Sequence, residues 1–383
     1  MKTVCVITAT RAEYGLLYPL IKLIDRDEEL TLQLIVSGTH LKKEYGYTKN
    51  EIIKDGFPIA AEFDILENER NSVSKAMGRV LMQFSDYLGD HRPDIAIILG
   101  DRYEMMAFAI ALANQKIPIA HLNGGETTEG LLDEIYRHCI TKMSIYHFVN
   151  CEIHRKRVVQ LGENPDRVFN VGDTCVDNVV HQKFMSKKEL CDFLHLSTWP
   201  ENMIVVTYHP VTLEKNSLRQ VEILLNVLKK KNEYFYLFTK ANADASGEEI
   251  NEYLAENIKS LKNARLVDSL GRLGYLSALK YSVMMIGNSS SGIYEAPIFK
   301  IPTINIGNRQ KGRVHGDTVI DCEAEEDAIT LAFLKAEDLE FRKICQNSKN
   351  LFGDGHASEK IIRIVKEKLN KNIEIEKKFY DLI

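Results

Sequence analysis

Short apolar runs rich in β-branched residues alternate with longer amphipathic stretches along the chain. Such runs are typical of strands that are buried on both faces of a parallel sheet, and the stretches between them have the period of a helix. In the first half, the predicted strands are Val4–Thr8, Leu32–Val36, Ile95–Leu99, Ile117–His121, Ile145–Val149 and Val168–Val171. The predicted helices are Gly15–Ile24, Ser72–Leu88, Tyr103–Asn114, Asp133–Met143 and Glu152–Leu161.

The same alternation starts again in the second half. Strands are predicted at Met203–Thr207, Tyr234–Phe238, Val283–Ile286 and Thr303–Ile306, and helices at Leu218–Lys230 and Leu273–Lys280. Two such series predict an α/β protein with two doubly wound, Rossmann-like domains, separated near residues 175–202. The charge-dense tail Lys366–Lys378 predicts an exposed amphipathic helix.

The composition fits this architecture and excludes some partners. The 383 residues are 45% hydrophobic and 27% charged, which suits two globular domains with sizeable cores. A net charge of −5 argues against non-specific nucleic-acid binding. No apolar run approaches the roughly 18 to 20 residues of a membrane span, and the first residues do not resemble a signal peptide. We therefore expect a cytoplasmic protein that binds neither nucleic acid nor a membrane.

Several common cofactor motifs are missing from the sequence. The seven cysteines are widely spaced and form no Cys-x-x-Cys pair, which predicts reduced thiols and no zinc site. The chain has no P-loop motif and no Gly-x-Gly-x-x-Gly after the first strand. These absences argue against a P-loop nucleotidase and a nicotinamide-dependent dehydrogenase, and we expect no bound metal.

Ligands of doubly wound domains bind at the carboxyl ends of the strands, so the residues there are candidates for a site. Arg11 follows the first strand, where it can bind a phosphate or pair with Glu13. Asp101 follows Ile95–Leu99 and can either cap the next helix or present a carboxylate to a ligand.

The next loop contains two glycines, which let the backbone approach a ligand, followed by Glu126. Asp133 and Arg137 are one helical turn apart, so they share a face and can form a salt bridge. Together with Asp101 they predict several carboxylates around one arginine. Such a cluster can divide acid and base roles through shifted pKa values.

In the second half, the segment from Gly287 to Pro297 is the most specific signal. It follows a predicted strand and contains three serines between glycines, which is more than a helix cap requires. Hydroxyls and backbone N–H groups at a helix start favour an anion, so we predict a phosphate site. Its candidate residues are Ser289, Ser290, Ser291 and Gly292.

Four further residues of the second half occupy similar positions. His209 and Asn242 follow predicted strands, although a histidine there is often structural. Arg309 and Arg313 can contact a second phosphate or lie in a solvated loop.

Nine blocks, in this order, resemble the hydrolysing UDP-N-acetylglucosamine 2-epimerases of sialic acid biosynthesis: TATRAEYG, SGTHL, LGDRYE, HLNGGE, DEIYRH, YHPVT, GNSSSGIYEAP, NIGNRQKGR and FGDGHAS. Both these enzymes and their non-hydrolysing relatives are similar to GT-B glycosyltransferases. The resemblance implies two Rossmann-like domains facing a cleft, residues 1–178 and 179–354, and a C-terminal helix, residues 355–383, that returns to the first domain. It also implies a UDP-sugar substrate and a homodimer.

The resemblance also implies roles for individual residues. Phosphate contacts fall on Arg11, His209, Ser289 and Ser290, and a ribose contact falls on Glu295. The arginine of the family's Thr-Arg-Gln block corresponds to Arg309. Catalytic acids fall on Asp101 and Asp133, with Arg102 and Arg137 nearby. From its chemistry alone, Glu295 can bind ribose hydroxyls or remain a solvated acid of a first helical turn.

Asn123 departs from the pattern, since many members of the family have a glutamate there. An asparagine does not titrate and cannot be a general acid or base. Either Glu126 takes over this task or the pocket accepts a modified sugar. A related branch is thought to act on UDP-2,4-diacetamido-2,4,6-trideoxyglucose, and Asn123 keeps this branch open.

The implied reaction starts from UDP-N-acetylglucosamine. It eliminates UDP to give 2-acetamidoglucal and then adds water with inversion at carbon 2, which gives N-acetylmannosamine. This chemistry needs no redox cofactor, and the arginines can stabilise the departing diphosphate, so we expect no cofactor. A non-hydrolysing epimerase, a GT-B glycosyltransferase and a non-catalytic nucleotide-sugar sensor are the alternatives.

Overall fold

The computed structural model describes residues 1–67, 72–128, 132–210, 217–241, 245–259 and 261–382. The chain forms two compact units. Unit 1 comprises Met1–Asn178 and Phe352–Ile383, and unit 2 comprises Val179–Leu351. Each is an α/β domain built on one parallel sheet, so the predicted fold class is confirmed. Within the described residues, no helix combines the length and the apolar character that crossing a bilayer requires.

Unit 1 contains the strands β1 (Lys2–Thr8), β2 (Leu30–Ser37), β3 (Ile59–Phe63), β4 (Ile95–Leu99), β5 (Ile119–Leu122), β6 (Tyr146–Val149) and β7 (Val168–Asn170). The helices up to its boundary are α1 (Arg11–Asp25), α2 (Lys49–Lys54), α3 (Ser72–Asp90), α4 (Tyr103–Asn114), α5 (Asp133–Met143), α6 (Glu152–Gln160) and α7 (Thr174–Val180). The strand order is β3-β2-β1-β4-β5-β6-β7. The order therefore reverses between β1 and β4, where this fold class binds its ligands.

Alternate side chains of β1 pack into two different cores. Val4 and Val6 lie in the cluster that contains the apolar face of α1. Cys5 and Ile7 lie in the cluster formed with α3 and α4. Since successive side chains of a strand point to opposite faces, the unbroken apolar run of β1 is what covering both faces of the sheet requires.

The last helix, α15 (Ala357–Leu369), belongs to unit 1. The Asp177 carboxylate accepts hydrogen bonds from the backbone N–H groups of Ala357 and Ser358, at 2.8 and 2.7 Å, and so caps the start of α15. Ile361 and Val365 then pack into the core beside α1.

The helix predicted for the tail ends at Leu369, and the described residues beyond Asn370 have no helical structure. Lys377 instead donates to the buried carboxylate of Glu163, at 2.7 Å, and to the backbone carbonyls of Lys142 and Ser144. The returning segment begins at Phe352, whereas residue 355 was expected.

Unit 2 contains the strands β8 (Met203–Thr207), β9 (Phe235–Thr239), β10 (Ala264–Val267), β11 (Met284–Gly287), β12 (Thr303–Ile306) and β13 (Val319–Cys322). Its helices are α8 (Lys187–Leu194), α9 (Ser217–Leu228), α10 (Ala245–Ile258), α11 (Gly271–Lys280), α12 (Ser291–Tyr294), α13 (Glu326–Glu337) and α14 (Leu339–Asn347). The order β10-β9-β8-β11-β12-β13 reverses between β8 and β11.

The sequence prediction missed the strands β3, β10 and β13. All three lie at an edge of their sheet. In β3 and β10 most side chains are partly exposed, so neither strand has the continuous apolar run that revealed the central strands. In β13 the apolar run is only two residues long.

Candidate functional site

Arg137 of α5 is the centre of a polar cluster in unit 1. Its side chain is only 1% exposed, and it forms ion pairs with Asp101 and with Glu134, the latter at 2.5 Å. The guanidinium also donates to the Thr128 hydroxyl at 2.9 Å and to the backbone carbonyl of Glu126 at 3.1 Å. A buried guanidinium with this many acceptors rigidly positions the two carboxylates.

The structure alters the predicted pairing on α5. The partner of Arg137 on its own helix is Glu134, three residues earlier, and not Asp133. Sequence analysis missed Glu134, although a carboxylate at this spacing is a usual helix partner. Arg102, and not Asp101, occupies the N-cap position of α4, so the capping alternative for Asp101 is wrong.

Asp133 begins α5 beside this cluster and is partly buried. Burial raises the pKa of its carboxyl group, and the negative charge of Asp101 raises the pKa further. A carboxyl group with a raised pKa retains its proton at a higher pH, which suits a proton donor.

His121 at the end of β5 is buried and supports the loop that carries Asp101. Its Nε2 lies 2.8 Å from the carbonyl oxygen of Gly100, and its Nδ1 lies 3.1 Å from the Thr141 hydroxyl. Burial lowers the pKa of His121 to about 3, so the ring is neutral and Nε2 carries the proton donated to Gly100.

Asn123 follows β5 with a φ of +61°, a left-handed conformation that asparagine tolerates better than most residues. Its Nδ2 donates to the Oδ2 of Asp173 at 3.1 Å. Asn150 donates to the same oxygen at 3.0 Å and to Glu126 at 2.6 Å. Asn123 and Glu126 are therefore linked through Asp173 and Asn150, which sequence analysis did not single out.

Asp173 is buried, and burial raises the pKa of its carboxyl group.

The two glycines before Glu126 have a packing role that was not predicted. At Gly125, with a φ of +81°, a Cβ atom would lie 2.5 Å from the carbonyl oxygen of His154. At Gly124, it would lie 3.0 Å from the Nδ1 of His121. Both glycines therefore allow this loop to lie against buried histidines.

Arg102, which follows β4, lies close to two carboxylates. Arg102 donates to Glu104 at 3.1 and 2.9 Å, and its Nε lies 3.9 Å from Glu13. Glu13 completes a capping box with Thr10 and accepts hydrogen bonds from the backbone N–H groups of Ala9 and Thr10. Burial raises the pKa of Glu13 to about 7.

Arg11 begins α1 and is the most exposed of the predicted unit 1 residues, with 73% of its side chain accessible. Its Nε lies 3.1 and 3.2 Å from the two carboxylate oxygens of Glu51. Pairing with Glu13, the alternative considered from the sequence, is therefore wrong. The exposed guanidinium can contact an anion, and its role in binding phosphate stays a prediction.

In unit 2, Asn288 joins three loops at the β8/β11 reversal. Its side chain accepts from the backbone N–H of His209 at 2.7 Å and donates to the backbone carbonyl of His209 at 2.8 Å. The backbone carbonyl oxygen of Asn288 accepts hydrogen bonds from the side chains of Arg309, at 3.1 Å, and Gln310, at 2.8 Å. Asn288 thus holds together the loops that carry His209, the serines and Arg309.

Gly287 makes this arrangement sterically possible. Its φ is +140°, and a Cβ atom there would lie 1.9 Å from the carbonyl oxygen of Thr207. Any side chain would push β11 away from the end of β8. Glycine is therefore required by this close approach of two backbones.

The serine segment forms a tighter turn than predicted. The helix that it opens, α12, has only four residues and continues as a 3-10 turn over Ala296–Phe299, which contains Pro297. The Ser289 hydroxyl accepts from the backbone N–H of Ser291 at 3.3 Å. Ser290 and Ser289 are partly exposed, whereas Ser291 and Gly292 are buried. The first two serines are accordingly the better placed for a ligand.

Glu295 is partly buried, and burial raises the pKa of its carboxyl group, so it is not the solvated acid considered as an alternative. Arg313 is partly exposed and follows a turn closed by its backbone N–H to Gln310, at 3.1 Å. Asn242 lies outside the described residues.

Comparison with known proteins identifies the family. The sequence profile described as UDP-N-acetylglucosamine 2-epimerase matches residues 22–366. The chain belongs to this family. A GDP/UDP-N,N'-diacetylbacillosamine 2-epimerase (hydrolyzing) from Campylobacter jejuni is 42% identical over 385 residues, which cover 100% of this chain and 99% of that protein. Polysialic acid biosynthesis protein P7 from Escherichia coli is 36% identical over 386 residues, covering 100% and 98%.

A crystal structure of a UDP-N-acetylglucosamine 2-epimerase from Neisseria meningitidis, bound to UDP-GlcNAc, has the same fold. Its TM-score is 0.80 at 19% identity, over 96% of this chain and 100% of that chain. The family resemblance expected from the nine blocks is therefore confirmed. In this chain, unit 1 carries the Arg137 cluster and unit 2 carries the loops joined by Asn288.

Proposed function

We propose that this chain is a hydrolysing 2-epimerase. It converts a UDP-linked 2-acetamido sugar and water to the free sugar with inverted configuration at carbon 2, and to UDP. The observation that carries this proposal is the carboxylate cluster around Arg137, with Asp133 beside it at a raised pKa. The 42% identical relative, whose name includes the word hydrolyzing, supports the same reaction.

In the first step, a carboxylate removes the proton from carbon 2. The bond between carbon 1 and the diphosphate oxygen breaks, UDP departs with the electron pair, and a 2-acetamidoglucal remains. Asp101 is our candidate for the base, because its ion pair with the buried Arg137 holds its carboxylate in place.

In the second step, the hydroxyl group of water is added to carbon 1 and a proton is added to carbon 2. The proton reaches carbon 2 from the face opposite to the one from which the first proton was removed. Asp133 is our candidate for the proton donor, since burial raises the pKa of its carboxyl group. Glu126 is the alternative acid and is held by Asn150 at 2.6 Å.

The diphosphate is assigned to unit 2. Ser289 and Ser290, His209 and Arg309 lie on loops that converge on Asn288, so hydroxyls, backbone N–H groups and a guanidinium are available to stabilise the departing UDP. We assign Glu295 to the ribose. Arg313 is assigned to a further phosphate contact of unit 2. The expected roles of Arg11 in phosphate binding and of Asn242 in substrate binding stay predictions.

For the sugar, we propose UDP-2,4-diacetamido-2,4,6-trideoxyglucose. Two features favour it. The 42% identical relative is named for GDP/UDP-linked diacetylbacillosamine, and Asn123 has an amide where many members of the family have a glutamate. UDP-N-acetylglucosamine, with N-acetylmannosamine as its product, is the second candidate, favoured by the relative named for polysialic acid biosynthesis. We further propose a cytoplasmic homodimer.

Proton NMR in deuterated water tests these assignments with three substrates: the two UDP-sugars and the GDP-linked diacetamido sugar. We expect free 2-epimeric sugar carrying deuterium at carbon 2, and fastest turnover with UDP-2,4-diacetamido-2,4,6-trideoxyglucose. Epimers that remain attached to UDP would show a non-hydrolysing enzyme. UDP release only with an added acceptor would show a glycosyltransferase, and binding without release would show a sensor.

A further inference from the structure

Asp173 is held rigidly at the carboxyl end of β7. Its side chain is buried, and its Oδ1 accepts from the backbone N–H of Cys175 at 2.8 Å. Its own backbone N–H donates to the carbonyl oxygen of Phe352 at 2.8 Å. The preceding Gly172 has a φ of +92° and approaches the backbone of Phe352 so closely that a Cβ atom would lie 2.9 Å from that carbonyl oxygen. Three contacts therefore fix where the carboxylate points.

The second oxygen, Oδ2, receives two side-chain amides. The Nδ2 of Asn123 lies 3.1 Å away and the Nδ2 of Asn150 lies 3.0 Å away. Because Oδ2 accepts both hydrogen bonds, each amide turns its NH₂ group toward Asp173.

Asn150 shows the same orientation from its other contacts. Its Nδ2 also donates to the Glu126 carboxylate at 2.6 Å, and its Oδ1 lies 2.5 Å from the Nδ1 of His154. The network therefore leaves one consistent assignment of nitrogen and oxygen for Asn150.

For Asn123, the consequence is a defined polarity. An amide is planar, so its carbonyl Oδ1 points away from the group that binds its NH₂. The backbone N–H of Asn123 donates a hydrogen bond to the backbone carbonyl of Phe148, at 2.9 Å. This contact fixes the backbone of Asn123, which has the left-handed conformation. The partly exposed Asn123 thus offers a fixed hydrogen-bond acceptor.

Building on the proposed function, we propose that Asp173 is a positioning residue for the sugar. It holds Asn123 so that the Oδ1 of Asn123 accepts a hydrogen bond from the N–H of a sugar acetamido group. Asp173 itself does not touch the substrate. Its contribution to specificity is the choice of which end of the Asn123 amide meets the sugar.

The first test is a double-mutant cycle between Asp173→Asn and Asn123→Ala. Asp173→Asn removes one acceptor and adds a donor, so Asn123 loses its orientation. We expect kcat/KM to fall about 10- to 100-fold, which corresponds to the loss of one buried hydrogen bond. In the Asn123→Ala background, Asp173→Asn should cause a clearly smaller decrease, since only the link through Asn150 to Glu126 is then disturbed. An equal decrease in both backgrounds would overturn the proposal.

The second test inverts the pair. Asn123→Asp alone places two carboxylates face to face and should reduce kcat/KM. Adding Asp173→Asn restores one amide and one carboxylate, with an acceptor still at position 123, and should recover activity. No recovery would contradict the proposed polarity. Glu163→Gln is the matched control, since Glu163 is an equally buried carboxylate of unit 1 (1% exposed, against 3% for Asp173) outside this network.

Failure of the proposed function would be recognised separately. If the wild-type chain released no UDP from any of the three nucleotide sugars, the function would be wrong. The orientation of Asn123 is then tested by the NMR signal of its side-chain NH₂, identified by its loss in Asn123→Ala. Asp173→Asn should shift this signal, and an unchanged signal would overturn the positioning role.

Discussion

The guanidinium of Arg137 on α5 forms an ion pair with the carboxylate of Asp101, which follows β4. Arg137 is 1% exposed, whereas Asp101 is 28% exposed. The buried cation therefore holds an acid that is itself open to a ligand. This difference in exposure distinguishes the pair from a structural ion pair in which both side chains are buried.

Replacing Arg137 should affect both stability and activity. Arg137→Ala leaves the Asp101 and Glu134 carboxylates without their cation, which should lower the free energy of unfolding by about 3–5 kcal/mol. Turnover should be lost. Urea unfolding and UDP release measure the two effects. Arg363→Ala, at an exposed position of α15, is the control and should change neither; a stable, active Arg137→Ala enzyme would contradict the role of the cluster.

Gly287 should tolerate no side chain. A Cβ atom 1.9 Å from the Thr207 carbonyl forces β8 and β11 apart, so we expect Gly287→Ala to melt at a lower temperature and to lose UDP binding. Differential scanning calorimetry with and without UDP measures this. In Gly78→Ala, where no atom lies within 4 Å on helix α3, the same change should be neutral or stabilising by roughly 0.5–1 kcal/mol.

Asn288 should control nucleotide affinity without contacting the sugar. Asn288→Ala removes both side-chain hydrogen bonds to the His209 backbone, so the loops separate and the Kd for UDP should rise about tenfold or more. Asn288→Asp keeps the hydrogen-bond acceptor, so its Kd for UDP should lie between those of the wild type and Asn288→Ala. Calorimetric titration with UDP measures the series. Asn347→Ala, an exposed asparagine of α14, should bind as the wild type does; unchanged affinity in Asn288→Ala would refute the role.

Glu13 predicts a pH dependence of stability. Its pKa is raised from 4.5 to about 7 by burial, so between these values the folded chain binds more protons than the unfolded chain. The contribution of Glu13 is therefore fully present below about pH 4.5, and the free energy of unfolding declines as the pH rises toward 7.

Glu13→Gln cannot ionise and should lack this decline, so that the variant gains stability relative to the wild type between pH 5 and pH 8. Urea unfolding at both pH values measures the difference. Glu340→Gln, an exposed acid of α14, should follow the wild-type dependence. An equal decline in Glu13→Gln would assign the pH dependence to other groups.

The central strands and several members of the two polar clusters were accessible from the sequence. β4, β8 and β12 were predicted at their observed bounds. β4 and β8 are almost entirely apolar because both of their faces are buried, whereas β12 is buried but contains Thr303 and Asn305. Arg137, Asp101 and the serine segment were singled out because parallel strands place their carboxyl ends at one edge of the sheet. The edge strand β3 was missed because half-exposed positions interrupt its pattern.

What the sequence alone determined is the set of elements with strong local periodicity, and the side chains that follow them. The tertiary structure decided the partners. Arg137 pairs with Asp101, Arg11 with Glu51 and not with Glu13, and Asn123 with Asp173, fifty residues away. The physical reason is that buried polar groups form hydrogen bonds with residues that the fold brings close together. The spacing of residues along the chain does not reveal which distant residues these are.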